Sequence, residues 1–567
     1  MGYREQAASL QRHVRMAPFT DELNARAGSL VDEELCDAII EQAARFAETE
    51  LDSLGSELDR EGATLVLGEV RTSVGQIRAW EAFREAGWLS LSAPAPHGQG
   101  LPQYLVAACE ELFNRASAAF FMLPTATRCG ASLLLRHADG ATRDLWVPKL
   151  LAGEWTATIC ISEPDAGSDV GRIRTRARPI GGGESYGWAI NGEKCWISFG
   201  SHDLAPRIGH LMLARTSDQH GVRGLSLFLV PSTTQDGAPN GVVVRRIEEK
   251  LGLHGSPTCA LGFENAAATL IGEEGRGLQQ MFHMMLEMRL SCGPQGTGVA
   301  TAALDIAMAY ALERKQGGRP NAAPVPISDH PDVQRQLLSI AGAVEMSRAL
   351  NITCAQTLDL AQLCEGQSEK VSFTNLAQFL LPIVKDGAAW TAFNCASQAI
   401  QVLGGAGYTS EWPLERLLRD SRVFPIYEGT TGMQALDILH RRVWKDGRAG
   451  LDHFMRIAQT EAVAGSGPLG DVLDLVNDTA TSLGRLTSTP RVAEAGAVAW
   501  LELCKLAVHG WLATRIVRLA GTDPVDARIS AAATFVLSEL EPRARLAAEL
   551  AVRAEGDLAG FQALSAV

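Results

Sequence analysis

Residues 31–51 read VDEELCDAIIEQAARFAETEL, with apolar positions recurring at three- and four-residue steps. That period predicts a helix burying one face. It recurs through the first 155 residues and is broken at PAPHGQGLP (94–102), whose glycines and prolines predict a loop. From about residue 156 the period shortens. WTATICIS, RTRARPI, YGWAINGEKCWIS, HLMLART, GLSLFLVP, GVVVRRIE and TCALGFE are short β-rich runs separated by Gly, Asp, Asn or Pro, predicting an antiparallel sheet or small barrel that ends near 270. The helical period then returns in LQQMFHMMLEMRL and GVATAALDIAMAYALERK. KDGRAG (445–450) and the turn-rich GSGPLGD (465–471) mark a link to further helices. The expected organisation is mainly α with a β insert: an N-terminal helical domain (1–155), a β domain (156–270), a helical bundle (271–445) and an additional C-terminal helical domain (446–567).

A chain of 567 residues exceeds what one core accommodates, in keeping with several domains. The net charge of −14 gives no bulk attraction to nucleic acid or anionic lipid. Within 446–567 there are 11 basic against 15 acidic residues, a poor electrostatic partner for DNA. The 11 cysteines form no CxxC pair, which predicts free thiols in a reducing compartment. MGYREQAASLQRH lacks the apolar core of a signal peptide, the final SAV is not a peroxisomal tail, and no uninterrupted apolar stretch is long enough to span a bilayer. The expectation is a soluble, cytoplasmic protein with neither nucleic-acid nor membrane partners.

Several chemistries lose ground. GGAGYTS (404–410) lacks the third glycine of a dinucleotide fingerprint and opens no βαβ unit. There is no Walker loop, HExxH or GxSxG, and the 12 histidines show no metal spacing.

Three segments carry the candidate chemistry. ICISEPDAGSD (159–169) leaves a strand through a polar turn in which Ser162 and Ser168 offer hydroxyl donors and Gly167 permits close approach to the backbone. In NGEKCWISFGSHD (191–203), period two puts Trp196 and Ser198 on one strand face. On its own that pair reads as a core tryptophan beside a small residue. QVLGGAGYTSEWPLERLLRD (401–420) precedes FPIYEGTTGMQ (424–434), where Glu428 stands between an apolar run and a helix start. An apolar flank raises a carboxylate's pKa toward the range useful to a general base, although a solvated acid near a helix N-terminus is equally a physical possibility.

In this order and spacing the segments resemble the acyl-CoA dehydrogenase family, with its Ser/Thr-Glu-x-x-x-Gly-Ser-Asp turn, Trp-x-Ser/Thr strand and Gln-x-x-Gly-Gly-x-Gly stretch. PHGQGLP, EEKLGLHGSPTCALGFEN, ALERKQGG and HPDVQR are similar to a long bacterial subgroup that carries an extra C-terminal helical domain. The resemblance implies a helical domain, a middle β domain and a four-helix bundle. It also implies FAD and the α,β-dehydrogenation of an acyl-CoA thioester, with Glu428 as the α-proton-abstracting base. Ser162 and Ser198 would then bond the isoalloxazine and Trp196 would pack on it. Gly167 and Ser168 would lie beside the flavin phosphates or the thioester, with Arg289, Tyr427 and Gly429 on the substrate side. Arg314 would reach a neighbouring subunit's FAD pyrophosphate, Gln401 and Gly405 would serve the same shared site, and Thr430 would bond the cofactor. A shared site implies a homo-oligomer, most simply a homodimer, with electron-transfer flavoprotein as electron acceptor. The resemblance leaves open an acyl-CoA oxidase, an acyl-carrier-protein dehydrogenase and a non-catalytic, DNA-associated flavoprotein of the alkylation-response type.

The sequence departs from the family pattern in places. Gln316-Gly317-Gly318 stands where many relatives have Phe-Gly, and Gly432 replaces a usual glutamine. Met288 occupies the position of the alternative base used by a few relatives, with Glu287 beside it. His254 reads as structural.

Overall fold

The computed structural model describes residues 2–27, 32–180, 187–465, 467–553 and 555–565. Met1, Val31, Tyr186, Ser466, Ala566 and Val567, which fall within stretches read above, lie outside these. By packing, the chain forms two units.

One unit comprises Phe46–Leu101 and Ala116–Ser291. Strands β1 (Thr64–Val66) and β2 (Glu69–Arg71) pair as a small antiparallel ribbon. The main sheet has seven strands: β3 (Thr156–Cys160), β4 (Arg176–Pro179), β5 (Trp188–Ser198), β6 (Ile208–Arg215), β7 (Leu225–Pro231), β8 (Val242–Ile247) and β9 (Thr258–Ile271). The pairings β6–β4–β5–β9–β7–β6 close on themselves, with β3 and β8 attached at β6 and β9. This is the expected small barrel, with most pairings antiparallel and with β3 and β4 running parallel to β6. Alternation sorts the side chains. Leu211 and Leu213 join one core with Trp146, Leu227 and Met284, whereas Met212 and Ala214 join another with Phe228, Ile190 and Phe263. With both faces covered, HLMLA and LSLFLVP are continuous apolar runs rather than alternating ones.

The other unit comprises Met1–Arg45, Pro102–Arg115 and Cys292–Val567. Its long helices Pro331–Leu363 and Gln367–Leu403 pack on one another across a three-residue connection. Gln367–Leu403 is buried along most of its length, which suits its all-round apolar composition. The helices after 446 belong to this same unit: Ala449–Ala464 packs on Gln367–Leu403, and Pro524–Val552 on Pro331–Leu363. A buried polar network ties the first helix, Tyr3–Met16, into the bundle. Arg348, 2% exposed, donates to Glu111 Oε1 (2.6 Å), Glu345 Oε2 (2.7 Å) and Ser9 Oγ (2.9 Å), while His13 Nε2 lies 2.8 Å from Glu345 Oε2.

Helix Gln103–His137 is long and apolar enough to cross a bilayer, and 78% of its most apolar window is buried. All 11 cysteines are free and buried, and the described residues contain no His/Cys/Asp/Glu cluster suited to a metal ion.

Candidate functional site

In the sheet-containing unit, the SEPDAGSD turn leaves β3 and folds back on itself through Glu163–Ala166 backbone bonds of 3.0 and 3.1 Å. Glu163 is buried beneath it and accepts from the Arg174 amide (2.6 Å), the Thr175 amide (3.1 Å) and the Lys194 ammonium (2.8 Å). Burial alone would raise its pKa, but Lys194 and these amides hold it below the ordinary carboxylate value. The turn presents Gly167 and Ser168 to the exterior, with Ser162 half-buried. A Cβ placed on Gly167 would meet no heavy atom within 4 Å, so the backbone there stands open to a ligand.

Trp196 lies on β5, where the pairing with β9 shifts register between Lys194 and Ile197. The shift buries Lys194 and Cys195 consecutively and leaves Trp196 with φ +62° and 62% of its surface exposed. Ile197 is buried and Ser198 is half-buried. A tryptophan this exposed is not the core residue that a bland reading allowed. Arg289, on helix Gly277–Glu313, is 9% exposed, makes no ion pair among the described residues, and has an Nε without a hydrogen-bond partner. Glu287 is engaged: Ser132 Oγ donates to it at 2.5 Å and Arg128 lies 4.0 Å away, with burial raising its pKa. His254 bridges Asp59 (2.8 Å) and the Lys250 carbonyl (3.0 Å), a structural role.

In the bundle unit, the chain leaves helix Leu414–Ser421 through a tight turn. Phe424 is buried and its ring stacks on Tyr427 at 5.9 Å between centroids. The Tyr427 hydroxyl donates to Gln295 Oε1. Burial, Cys292 and Glu428 together push the Tyr427 pKa well above its usual value, so the phenol stays protonated. Glu428 is half-buried at φ +51°, followed by Gly429 at +91°. A left-handed glutamate costs roughly 1–2 kcal/mol, so the surrounding bonds must hold it there. Three donors do so. Lys385 Nζ, fully buried, donates to the carbonyls of Phe424 (2.9 Å) and Gly429 (2.7 Å), and Gln434 Nε2 donates to those of Glu428 and Gly429 (3.1 Å each). Thr430 caps the next helix, accepting from the Met433 amide at 3.4 Å.

Gln401 lies in the last turn of helix Gln367–Leu403, and its carbonyl accepts the amide of Gly404, which has φ +61°. Gly405 is exposed with open space around it, in a 3-10 turn, Gly404–Tyr408, rather than a βαβ unit. Arg314 is exposed just beyond helix Gly277–Glu313, 3.3 Å from Gln316 Oε1. Each unit thus gathers its own residues: Ser162, Gly167, Ser168, Trp196 and Ser198 in the first, and Tyr427, Glu428, Gly429 and Thr430 in the second. Lys194 and Lys385 were missed from sequence. Lys385 follows the apolar run FLLPIV, and a lysine there signals a buried, hydrogen-bonded charge; Lys194, after Asn191-Gly192-Glu193, carries no such signal.

The chain matches the acyl-CoA dehydrogenase N-terminal domain over 33–154, the middle domain over 158–266 and the C-terminal domain over 275–443. It is 37% identical over 498 residues to 3-methylmercaptopropionyl-CoA dehydrogenase of Ruegeria pomeroyi, covering 84% of each chain. It is 33% identical to the broad-specificity linear acyl-CoA dehydrogenase FadE5 of Mycobacterium tuberculosis, covering 68% of this chain and 66% of that one. In fold it is similar to an acyl-CoA dehydrogenase complexed with FAD from Bacillus anthracis, with a TM-score of 0.74 and 22% identity, covering 92% of this chain and 89% of that one. The chain belongs to the acyl-CoA dehydrogenase family. It is accordingly an oxidoreductase acting on acyl-CoA, with FAD as its cofactor. The residues present fit that group: an exposed indole at Trp196 and open backbone at Gly167.

Proposed function

We propose that the protein converts an acyl-CoA thioester to the trans-2-enoyl-CoA, with Glu428 removing the α-proton. The observation that carries this reading is the left-handed Glu428, held in a turn by Lys385 and Gln434. Backbone strain at one carboxylate, sustained by several hydrogen bonds, is the pattern of a side chain positioned for chemistry. Glu287 is the weaker candidate for base, because Ser132 and Arg128 already engage its carboxylate.

In this reading Glu428 takes the α-proton, and its backbone N–H stabilises the developing charge on the thioester oxygen. A donor of that kind is typically worth about 3–4 kcal/mol. Bound FAD supplies the hydride acceptor, its N5. Ser162 and Ser198 donate to the isoalloxazine, and Trp196 covers it and excludes water. Gly167 and Ser168 border the phosphates or the incoming thioester, and Arg289 and Tyr427 line the substrate side. Arg314, Gln401, Gly405 and Thr430 serve the cofactor in a homodimer, and exposure of Arg314 supports a role toward a second subunit. Electrons leave to electron-transfer flavoprotein, and the protein works in the cytoplasm. The similarity to a sulfur-substrate enzyme supports including 3-methylmercaptopropionyl-CoA among candidate substrates.

The test is anaerobic bleaching of bound flavin by short, branched, aromatic and sulfur-containing acyl-CoA thioesters, repeated with Glu428→Gln. Loss of bleaching with retained flavin is the expected result, and bleaching at the wild-type rate overturns the base assignment. Slow reoxidation of the reduced protein in air separates a dehydrogenase from an oxidase.

A further inference from the structure

Lys385 is fully buried. It donates to two backbone carbonyls, Phe424 at 2.9 Å and Gly429 at 2.7 Å, which bracket the four residues from Pro425 to Glu428. The same nitrogen lies 5.9 Å from the centroid of the Tyr427 ring. Gln434, also fully buried, sends its amide nitrogen to the carbonyls of Glu428 and Gly429. The Thr431 amide closes the turn on the Pro425 carbonyl at 3.2 Å, and the Thr431 hydroxyl accepts from Trp390 Nε1 at 2.9 Å.

We propose that Lys385 is the positioning residue for the base: its ammonium clamps both ends of the Phe424–Gly429 turn and thereby sets where the Glu428 carboxylate stands. This rests on the reading of Glu428 as the base. Two features separate a clamp from ordinary core packing. An ammonium demands hydrogen-bond acceptors when buried, and the carbonyls it has found are those flanking a residue with left-handed backbone. Helix Gln367–Leu403, which carries it, is buried along most of its length, so Lys385 projects from a rigid element onto an irregular one. The turn has no sheet ladder or helix of its own to fix residues 425–429, and without the clamp its carbonyls at Phe424 and Gly429 lose charge-assisted partners. A shift of about 1 Å in a reacting group costs on the order of 100-fold in rate.

The experiment uses the FAD-loaded full chain and the variants Lys385→Met, Gln434→Met and Glu428→Gln. Two quantities are read: hydrogen exchange of the peptide spanning 424–436, and the limiting rate and apparent Kd of anaerobic flavin bleaching by a substrate that bleaches the wild type. Lys385→Met is expected to speed exchange in that peptide and to slow bleaching about 100-fold, with the apparent Kd within about threefold of wild type. Gln434→Met, which removes a weaker part of the same clamp, is expected to give a smaller change in the same direction in both readouts. It decides the matter if Lys385→Met fails to fold. Wild-type bleaching in the folded variants overturns the proposal, as does slowed bleaching with unchanged exchange at 424–436. Glu428→Gln is expected to keep slow exchange and lose bleaching. Should it bleach normally, the base assignment falls by itself, and exchange in the lysine variant still decides whether Lys385 holds the turn.

Discussion

The Lys194 ammonium lies 2.8 Å from Glu163 Oε1, with side-chain exposures of 0% and 6%. Two further acceptors, the carbonyls of Ile161 (3.0 Å) and Leu213 (2.9 Å), complete the ammonium's shell. The pair joins β5, which carries Trp196 and Ser198, to the turn that carries Ser162 and Ser168. Burial pulls the lysine pKa down and Glu163 opposes this, so each charge depends on the other.

Lys194→Met is therefore expected to cost about 3–5 kcal/mol of stability, because Glu163 is left buried with only two amide donors. Replacing both partners by apolar residues of similar size should recover a large part of that loss. Neither variant should hold FAD with wild-type affinity, since the turn and the strand lose their common anchor. Urea denaturation of the flavin-free proteins and fluorescence titration with FAD measure the two effects separately.

Trp196 gives a prediction of opposite character. It is 62% exposed, so truncation to Ala removes little packing, and flavin-free stability should change by less than about 0.5 kcal/mol. An aromatic surface that stacks on the isoalloxazine is worth about 0.5–1.5 kcal/mol beyond its area. The Kd for FAD should accordingly rise about three- to tenfold, read by the same titration.

Arg348 stands at the centre of the network that binds the first helix to the bundle. Burial alone would raise the Glu345 pKa, but Arg348 and His13 drive it far down, so the carboxylate is charged throughout the range in which the protein is handled. Arg348→Met strands two buried carboxylates, Glu111 and Glu345, and is expected to cost at least about 3–5 kcal/mol in thermal or urea unfolding. The helix Tyr3–Met16 should become the first site of proteolysis, since Ser9 loses the Arg348 guanidinium and the Glu345 carboxylate that His13 faces loses its arginine.

These two networks also explain which parts of the molecule were legible beforehand. The SEPDAGSD turn and the IYEGTTG turn were readable because glycine and small polar residues announce a backbone that approaches a ligand. The mainly α fold with a β insert was readable because period two replaces the helical period from residue 156. The parallel pairing of β3 and β4 with β6 was not, because it joins residues far apart in sequence, and nothing local encodes it. Period two carries no sign of the register shift before Ile197, and it is at this shift that Trp196 stands exposed. KDGRAG reads as a link, yet apolar faces beyond it pack directly on Gln367–Leu403, and packing rather than loop composition determines the unit. Lys194 and Lys385 escaped notice because their acceptors, the Glu163 carboxylate and the backbone carbonyls of Ile161, Leu213, Phe424 and Gly429, lie far from them in sequence.

Asp359 carries the pH prediction. Its two carboxylate oxygens accept the amides of Gln103 (2.7 Å) and Tyr104 (3.1 Å), the first residues of helix Gln103–His137. Those amides favour the ionised form, but burial outweighs them and pushes the pKa up to about 7, from an ordinary 3.8. A folded-state pKa above the unfolded one means that the native protein binds the proton more tightly. Stability from this group is therefore full below about pH 4, falls as pH rises toward 7, and is flat beyond. At about 1.4 kcal/mol per pH unit the total is roughly 4 kcal/mol. Asp359→Asn keeps an acceptor for one amide and has no proton to lose. Unfolding free energies of both proteins at pH 4.5 and 8 should show the variant gaining on wild type with rising pH, whatever their difference at the lower pH. Parallel pH profiles for the two would mean that Asp359 is ionised throughout and that the amides, not burial, govern it.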